Sequence, residues 1–228
     1  KNDNIKEFTY SQVFSNLEKV VVPKYGEFES YANRDSLHYQ KKYNLTAATT
    51  IVRGTLRKVG FSNAWNVFVQ LGMTSEDSTQ EIISKTKFDN YIKELNNPDI
   101  TEKMNYIDLF NPKHKNLIFA SPADYLMQIL QQKWSLEDSD KDMIVMQHKF
   151  EYYLGNQCKH LTLSMVVKGD DNIQTGMAKT VGLPVFFACK LILDEKISLK
   201  GVRIPIYKEI YKPILAELAQ EGITFVKS

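Results

Sequence analysis

Cysteine and histidine are scarce in this chain and do not form metal or redox motifs. The 228 residues include two cysteines, Cys158 and Cys189, and four histidines. The cysteines are far apart and form no C-x-x-C motif, and no histidine belongs to an H-E-x-x-H motif. The sequence therefore predicts neither a zinc site nor a dithiol redox centre, and unpaired thiols fit a reducing intracellular compartment.

Three further features are missing, and each excludes a class of function. The ten glycines never form G-x-G-x-x-G or G-x-x-x-x-G-K-S/T, so no cradle for a dinucleotide pyrophosphate is encoded. The net charge is only +2 and the basic residues form no stripe, which argues against nucleic acid. The longest apolar run, residues 181–193, is interrupted by Lys190 and is too short to cross a bilayer. We therefore expect no nucleic acid and no membrane among the partners.

The most informative segment of the chain groups three arginines. Residues 31–36 and, after a spacer, residues 50–57 contain Arg34, Arg53 and Arg57. Planar guanidinium groups bind carboxylates through two parallel hydrogen bonds, so the segment predicts a substrate rich in carboxylates. The competing interpretation is that these arginines are solvated or form weak surface pairs, and Arg57 could pair with Asp35.

Alternation and capping patterns predict both strands and helices. Residues 49–52 indicate a strand leading into Arg53, whose alternation would place Ile51, Arg53, Thr55 and Arg57 on one face. Residues 143–167 predict a long hairpin that turns at Gly155-Asn156 and carries His148, either as an acid or base or as a half-buried strand residue. Two further strands are predicted, at residues 19–22 and 223–226. Helices are predicted to start at Ser62 as N-cap, at Ser121, at Thr175 or Gly176 and at Pro213, and a further helix is predicted to follow a capping box at residues 78–81.

Several long stretches resemble one known family. Tyr-Ala-Asn-Arg-Asp-Ser at residues 31–36 and Val-Arg-Gly-Thr-Leu-Arg at residues 52–57 resemble two signature stretches of the saccharopine dehydrogenase family, in its glutamate-forming branch. Residues 142–150, 176–184 and 208–215 resemble the closing region of the same family. The chain departs from the family pattern at Ala32, where proline is usual, and at Lys58, where an aromatic residue is common.

The resemblance implies a reaction of lysine metabolism. In that family glutamate and aminoadipate semialdehyde condense to an imine, and a hydride from NAD(P) reduces the imine to saccharopine, which carries three carboxylates. The resemblance implies that Arg34 and Arg53 each bind a carboxylate and that Tyr31, Asn33 and Thr55 donate supporting hydrogen bonds. No catalytic acid or base is identified. The expected partners are the small molecules saccharopine and glutamate and a second copy of the chain in a homodimer, in the cytoplasm, or in the mitochondrial matrix if the parent is a fused animal-type enzyme.

The expected fold class is α/β (α+β), a mixed sheet with covering helices. Residues 1–73 and 141–175 would form the substrate-binding domain, and residues 74–140 a small helical insertion. Residues 176–228 would form a helix-strand segment that returns to a Rossmann nucleotide-binding domain. Because the chain lacks a glycine-rich turn and starts at Lys1 without a methionine, we expect a piece of a larger enzyme that binds no NAD(P) by itself, whereas the complete enzyme would bind it.

Two other functions stay open. The chain could be a non-catalytic module that binds an acidic metabolite or a partner chain, which the missing glycine-rich turn favours. It could also belong to an enzyme that reduces a carboxylated polyamine imine. That enzyme would need acidic residues along its site to hold amine cations, whereas the arginines indicate an anionic ligand.

Overall fold

The computed structural model describes residues 4–227 and divides the chain into two compact units. The N-terminal unit comprises Lys1–Ser135 and the C-terminal unit Leu136–Ser228. Both units contain helices and strands, which confirms the expected α/β (α+β) class. The finer division into residues 1–73 with 141–175, 74–140 and 176–228 stays a prediction.

The first half of the N-terminal unit is a three-stranded antiparallel sheet of order β1-β2-β3. In chain order its elements are α1 (Tyr10–Val13), β1 (Glu18–Val22), β2 (Gly26–Ala32), α2 (His38–Lys42) and β3 (Gly54–Lys58). The predicted strand at residues 49–52 is wrong, because β2 ends at Ala32, opposite Gly54, and offers no partner to earlier residues. Thr55 and Arg57 therefore share a strand face, while Ile51 and Arg53 precede the strand.

Helix α3 (Phe61–Gln70) is joined to the sheet by a buried carboxylate. Its N-cap position is Gly60, with φ of 90°, so the predicted N-cap at Ser62 is wrong. Glu29 of β2, 5% exposed, accepts hydrogen bonds from the backbone N–H of Gly60 (3.1 Å) and of Ser62. A carboxylate at this position satisfies free N–H groups and interacts favourably with the positive end of the helix dipole.

The rest of the N-terminal unit is helical and encloses its main core. It comprises α4 (Lys85–Leu95), α5 (Pro98–Ile107), a 3-10 turn (Pro112–Asn116) and α6 (Pro122–Trp134). The capping box predicted at residues 78–81 is wrong: helix α4 is capped by Ser84, whose hydroxyl accepts from the N–H of Lys87. The predicted start of α6 at Ser121, with Pro122 in the first turn, is confirmed. The core that these helices share with α3 includes Phe68, Met73, Ile92, Met104, Leu126 and Ile129.

The C-terminal unit is built on a long hairpin. Strands β4 (Met143–Leu154) and β5 (Gln157–Lys168) pair along their whole length around the predicted Gly155-Asn156 turn, which confirms the predicted hairpin. Helices α7 (Gly176–Leu193) and α8 (Lys208–Gln220) follow, and β6 (Val226–Lys227) pairs with β5. The strand predicted at residues 223–226 is confirmed only at Val226, where β6 begins, and α8 begins at Lys208, before Pro213.

Helix α7 buries only part of the face that its helical period predicts. Leu191 is 2% exposed and packs with Phe187 in a small core that includes Ile214 and Leu218 of α8. The helical period places Val181, Val185, Ala188, Leu191 and Ile192 on one face. Ala188 packs against the same small core, but Val181, Val185 and Ile192 are exposed. The helix continues through Pro184 without interruption, and its N-terminus is capped by Thr175.

Helix α7 is longer than the apolar run at residues 181–193 that the sequence shows. The helix has 18 residues with a mean hydropathy of 1.5, so by length and composition alone it is long enough to cross a membrane, which the shorter run at residues 181–193 is not. Only 17% of the helix is buried, with Phe187 and Leu191 packed in the small core of the C-terminal unit. That no membrane is a partner stays a prediction.

Candidate functional site

Pairing of β2 with β3 brings the two arginine-containing stretches together. Tyr31 lies opposite Thr55 and Ala32 lies opposite Gly54, and beyond the strands the N–H of Asn33 donates to the carbonyl of Arg53 at 3.1 Å. The polypeptide leaves the sheet at Asn33 and returns at Arg53 beside it. All five predicted site residues, Tyr31, Asn33, Arg34, Arg53 and Thr55, therefore lie at one end of one sheet.

The backbone at this end is unusual at two positions. Arg34 has a φ of 50°, in the left-handed region that non-glycine residues rarely adopt and that often marks functional sites. Its neighbour Asp35 accepts a hydrogen bond from the N–H of Leu37 at 2.8 Å, which forms a local turn after Arg34. At Gly54 an added Cβ would lie 2.2 Å from Ser30 Oγ and 3.1 Å from the Tyr31 carbonyl, so the two strands approach closely only because residue 54 is glycine.

An aromatic side chain holds the guanidinium of Arg53. The group lies 5.0 Å from the centre of the Tyr39 ring, and its Nη1 donates to the Tyr39 hydroxyl at 3.4 Å. Tyr39 in turn stacks on Tyr43, with the ring centres 5.7 Å apart and an interplanar angle of 14°. Stacking on an aromatic face restricts the guanidinium without neutralising its charge, so Arg53 can still bind an anion.

A cavity of about 750 Å³ borders this end of the sheet. Tyr31, Arg34 and Arg53 line it, whereas Asn33 and Thr55 are half-buried and are not among its lining residues. The Tyr31 ring also packs on Phe14, with centres 4.8 Å apart, so this residue supports the local core as well as the cavity wall. The exposed guanidinium groups of Arg34 and Arg53 are the two cationic groups from the predicted set that border the cavity.

Acidic side chains border the same cavity. Glu7, Glu18 and Asp35 line it together with Lys6 and the two arginines. A site with both signs of charge suits a ligand that carries carboxylates and an amine, because each charged group can meet an opposite one. The sequence did not predict Glu7 or Glu18 at this site, because they come from a segment far from both arginine stretches.

Arg57, the third arginine, faces a different environment. Its guanidinium lies 5.3 Å from the centre of the Phe61 ring, and its Nη1 donates to the carbonyl of Leu56 at 3.3 Å. In residues 4–227 no ion pair joins it to Asp35, so the pairing considered from the sequence is wrong. Arg57 does not line the cavity and serves as an internal comparison for Arg34 and Arg53.

A second cavity, of about 480 Å³, has a different chemistry. It is lined mainly by apolar side chains from the helical part of the N-terminal unit, including Trp65, Leu126 and Trp134. No arginine or lysine lines it. The larger cavity, lined by Arg34 and Arg53, is therefore the one whose chemistry suits a carboxylate ligand.

His148, the candidate acid or base on the hairpin, has aromatic neighbours. Its ring centre lies 5.4 Å from that of Phe225 and 6.1 Å from that of Phe150. Partial burial lowers the pKa of His148 from its ordinary value of 6.5, because it disfavours the charged imidazolium. The side chain is nonetheless exposed, so the half-buried placement predicted from the sequence is wrong, and His148 is a strand residue in contact with aromatic rings.

Tyr39, beside Arg53, and Glu29, which joins the sheet to α3, are two further residues whose contacts the sequence did not reveal. Tyr39 lies in the spacer between the two arginine stretches, where no periodic pattern marks it. Glu29 is a single acid within a strand, and its partners Gly60 and Ser62 lie 31 and 33 residues later in the sequence. A contact between distant residues leaves no local signal, so only the structure identifies these two.

Comparisons with known proteins identify relatives of this chain. A profile of the saccharopine dehydrogenase C-terminal domain matches residues 1–223. The chain is 34% identical over 223 residues to the mitochondrial alpha-aminoadipic semialdehyde synthase of Mus musculus, a match that covers 86% of this chain and 24% of the relative. It is 31% identical over 232 residues to the NADP(+), L-glutamate-forming saccharopine dehydrogenase of Schizosaccharomyces pombe, with 89% of this chain and 51% of the relative covered.

A solved structure has the same fold. The apo saccharopine dehydrogenase (L-Glu forming) of Saccharomyces cerevisiae superposes with a TM-score of 0.83 and 25% identity, covering 100% of this chain and 57% of that one. The chain thus spans about half the length of its fungal relatives and about a quarter of the mammalian one. Since the family profile covers almost all of its length, the chain belongs to the saccharopine dehydrogenase C-terminal domain family.

Proposed function

We propose that this chain is the substrate-binding part of a saccharopine dehydrogenase of lysine metabolism, which interconverts saccharopine with glutamate and aminoadipate semialdehyde. The observation that carries the proposal is the pair of arginines, Arg34 and Arg53, beside one cavity at the end of adjacent strands. Each binds one of the three carboxylates of saccharopine. Tyr31 lines the same cavity, while Asn33 and Thr55 support the strand ends from which the arginines extend.

In this proposal the chain orients the substrate and does not transfer protons. Carboxylates held at two fixed points restrict the imine between them, and such positioning can lower a reaction barrier by about 7–11 kcal/mol. Glu7 and Asp35 are suitable neighbours for the positively charged nitrogen of saccharopine. No residue is assigned as the catalytic acid or base.

The nicotinamide dinucleotide that the fungal relative names as NADP(+) does not fit the described part of this chain. Both sheets in residues 4–227 are antiparallel, so no helix there follows a parallel strand through a glycine-rich turn. We propose that NAD(P) binds to another part of the complete enzyme, and that residues outside this chain select NAD or NADP.

The binding assignment can be tested by calorimetric titration of the chain with saccharopine. Arg34→Lys and Arg53→Lys keep the charge but lose the planar fork, so each should weaken binding by about 1 to 3 kcal/mol, or roughly 5- to 150-fold. Arg57→Lys is the matched control, because Arg57 lies on β3 but does not line the cavity. Unchanged affinity in the Arg34→Lys and Arg53→Lys double variant would refute the assignment.

The acidic residues of the cavity keep one other function in competition. Glu7, Glu18 and Asp35 could hold the amines of a carboxylated polyamine, as an enzyme that reduces a polyamine imine would require. Titration with glutamate and with spermidine in parallel separates the two. Binding of spermidine in preference to glutamate would favour the polyamine enzyme.

Oligomeric state and location complete the proposal. Exposed apolar side chains on α7, such as Val181, Val185 and Ile192, support a homodimer that covers them, which light scattering at low concentration can check. The mouse relative is mitochondrial by name. We propose the cytoplasm for this protein, or the mitochondrial matrix if the parent is a fused enzyme of that type.

A further inference from the structure

A group of metal-ligand side chains lies on one face of the β4-β5 hairpin. Glu151 of β4 pairs directly with His160 of β5, and Cys158 lies two residues before His160. Residues directly opposite each other, and residues two apart on a strand, project from the same face of a sheet. The carboxylate, the imidazole and the thiol therefore share one face of the hairpin, which belongs to the C-terminal unit, whereas the arginine site belongs to the N-terminal unit.

The donor atoms of this group are already close. His160 Nε2 lies 3.7 Å from Cys158 Sγ, and His160 Nδ1 lies 3.7 Å from Glu151 Oε2. One donor atom from each residue can be chosen so that all three lie within 4.8 Å of one another. Zinc bonds of 2.0–2.3 Å in a tetrahedron separate neighbouring donor atoms by about 3.3 to 3.6 Å. The Sγ to Nε2 distance is nearly right, and a rotation of the Glu151 side chain brings its oxygen closer.

The side chains are free to make that rotation. All three are exposed, and the strands that carry them are paired along their whole length, so the backbone fixes their spacing while the side chains turn. A paired hairpin thus acts as a rigid support for flexible ligands. Binding here would not be needed for folding, because residues 149–160 at this end of the hairpin are all exposed.

We propose that Cys158, His160 and Glu151 bind a zinc-class divalent cation. The thiolate of Cys158, Nε2 of His160 and a carboxylate oxygen of Glu151 supply three ligands, and water occupies the fourth position. A mixed sulfur, nitrogen and oxygen set suits zinc, whereas calcium and magnesium prefer oxygen ligands alone. The sequence predicted no metal site because spacing along the chain does not reveal Glu151, which comes from the opposite strand.

The test is titration of the reduced, untagged chain with Co²⁺, followed by displacement with Zn²⁺. A thiolate bound to Co²⁺ gives a charge-transfer absorption that a carboxylate or imidazole site lacks, so the spectrum identifies Cys158 as a ligand. We expect one Co²⁺ per chain. Cys158→Ser should abolish the charge-transfer band, and His160→Asn and Glu151→Gln should each weaken binding by at least about 10-fold, the loss expected even for outer-shell partners.

The matched control is Cys189→Ser, which removes the other exposed free cysteine, on α7. It should leave both the band and the affinity unchanged. Circular dichroism should be the same for all variants, because the substituted side chains are exposed. A band that persists in Cys158→Ser, binding that is insensitive to His160→Asn and Glu151→Gln, or no charge-transfer band in the unsubstituted chain would each overturn the proposal. Since the test reads no substrate binding, its outcome is independent of the function proposed above.

Discussion

Glu29 is expected to be the polar residue on which the sheet of the N-terminal unit depends most. It is 5% exposed, and it accepts from the N–H groups of Gly60 and Ser62 at the start of α3. Glu29→Ala removes both acceptors and leaves two N–H groups without these partners. Because Tyr31 follows two residues later on β2, the same contact also fixes the strand that leads into the arginine site.

The size of the effect follows from the two hydrogen bonds. A buried N–H without a partner costs about 1–3 kcal/mol, and the loss of a helix N-cap contact costs about 0.5–2 kcal/mol. Water can reach part of this position, because the Gly60 bond is only partly buried. We therefore expect Glu29→Ala to lower the free energy of unfolding by about 2–4 kcal/mol. Glu29→Gln, which keeps one acceptor oxygen, should lose about half as much.

Tryptophan fluorescence during urea unfolding measures this change for the correct unit. The chain has two tryptophans, and both Trp65 and Trp134 lie in the N-terminal unit. Glu27→Ala is the matched control, because Glu27 lies on the same strand and makes only an exposed ion pair with Lys19, at 3.6 Å. Such pairs contribute about 0–1 kcal/mol. Equal losses in Glu29→Ala and Glu27→Ala would show that the buried carboxylate does not anchor α3.

Three shorter predictions concern packing and protonation. Gly54→Ala should lower the free energy of unfolding by about 1–3 kcal/mol, because its Cβ would lie 2.2 Å from Ser30 Oγ. Adding Ser30→Ala should recover part of this loss, and strictly additive effects of the two substitutions would contradict the clash. On α7, Leu191 is 2% exposed and Val185 is 61% exposed. Leu191→Ala should therefore lower the free energy of unfolding, followed by circular dichroism, by about 2–5 kcal/mol, and Val185→Ala by less than about 1 kcal/mol. Similar losses in the two variants would contradict this difference in burial. Because burial lowers the pKa of His148, the stability that the neutral ring contributes is complete above pH 6.5 and is lost as the pH falls through the folded-state pKa. NMR titration, with the resonance assigned by its loss in His148→Phe, should show a midpoint below 6.5, and a midpoint above it would contradict the packing.

Elements with complete local signals could be predicted from the sequence. The hairpin combines a period of two with a Gly-Asn turn, and α6 combines the Ser121 cap with Pro122 in its first turn. The capping box at residues 78–81 failed because a neighbouring acid competes for the same backbone. Asp77 accepts from the N–H and the hydroxyl of Thr79, which holds this segment as a turn, and the helix begins only after Ser84.

Helix α7 shows a different limit of sequence patterns. Apolar residues surround most of this helix, so several stripes satisfy the helical period and the sequence cannot select among them. The structure selects Phe187 and Leu191, because α8 packs on that side. The arginines of the proposed site, Arg34 and Arg53, came from resemblance, whereas Glu7 and Glu18 reach the same cavity, and Tyr39 reaches Arg53, only through folding.

The two arginines of the cavity are constrained in different ways. Arg53 is held at its side chain by Tyr39, so little conformational entropy remains for a carboxylate to remove from it. The backbone of Arg34 adopts a left-handed conformation, whereas its side chain is exposed. Lysine at position 53 loses both the fork and the stacked arrangement, and lysine at position 34 loses only the fork. The larger loss of saccharopine affinity should therefore come from Arg53→Lys, and Tyr39→Ala, which removes the ring but keeps the fork, should reproduce part of it.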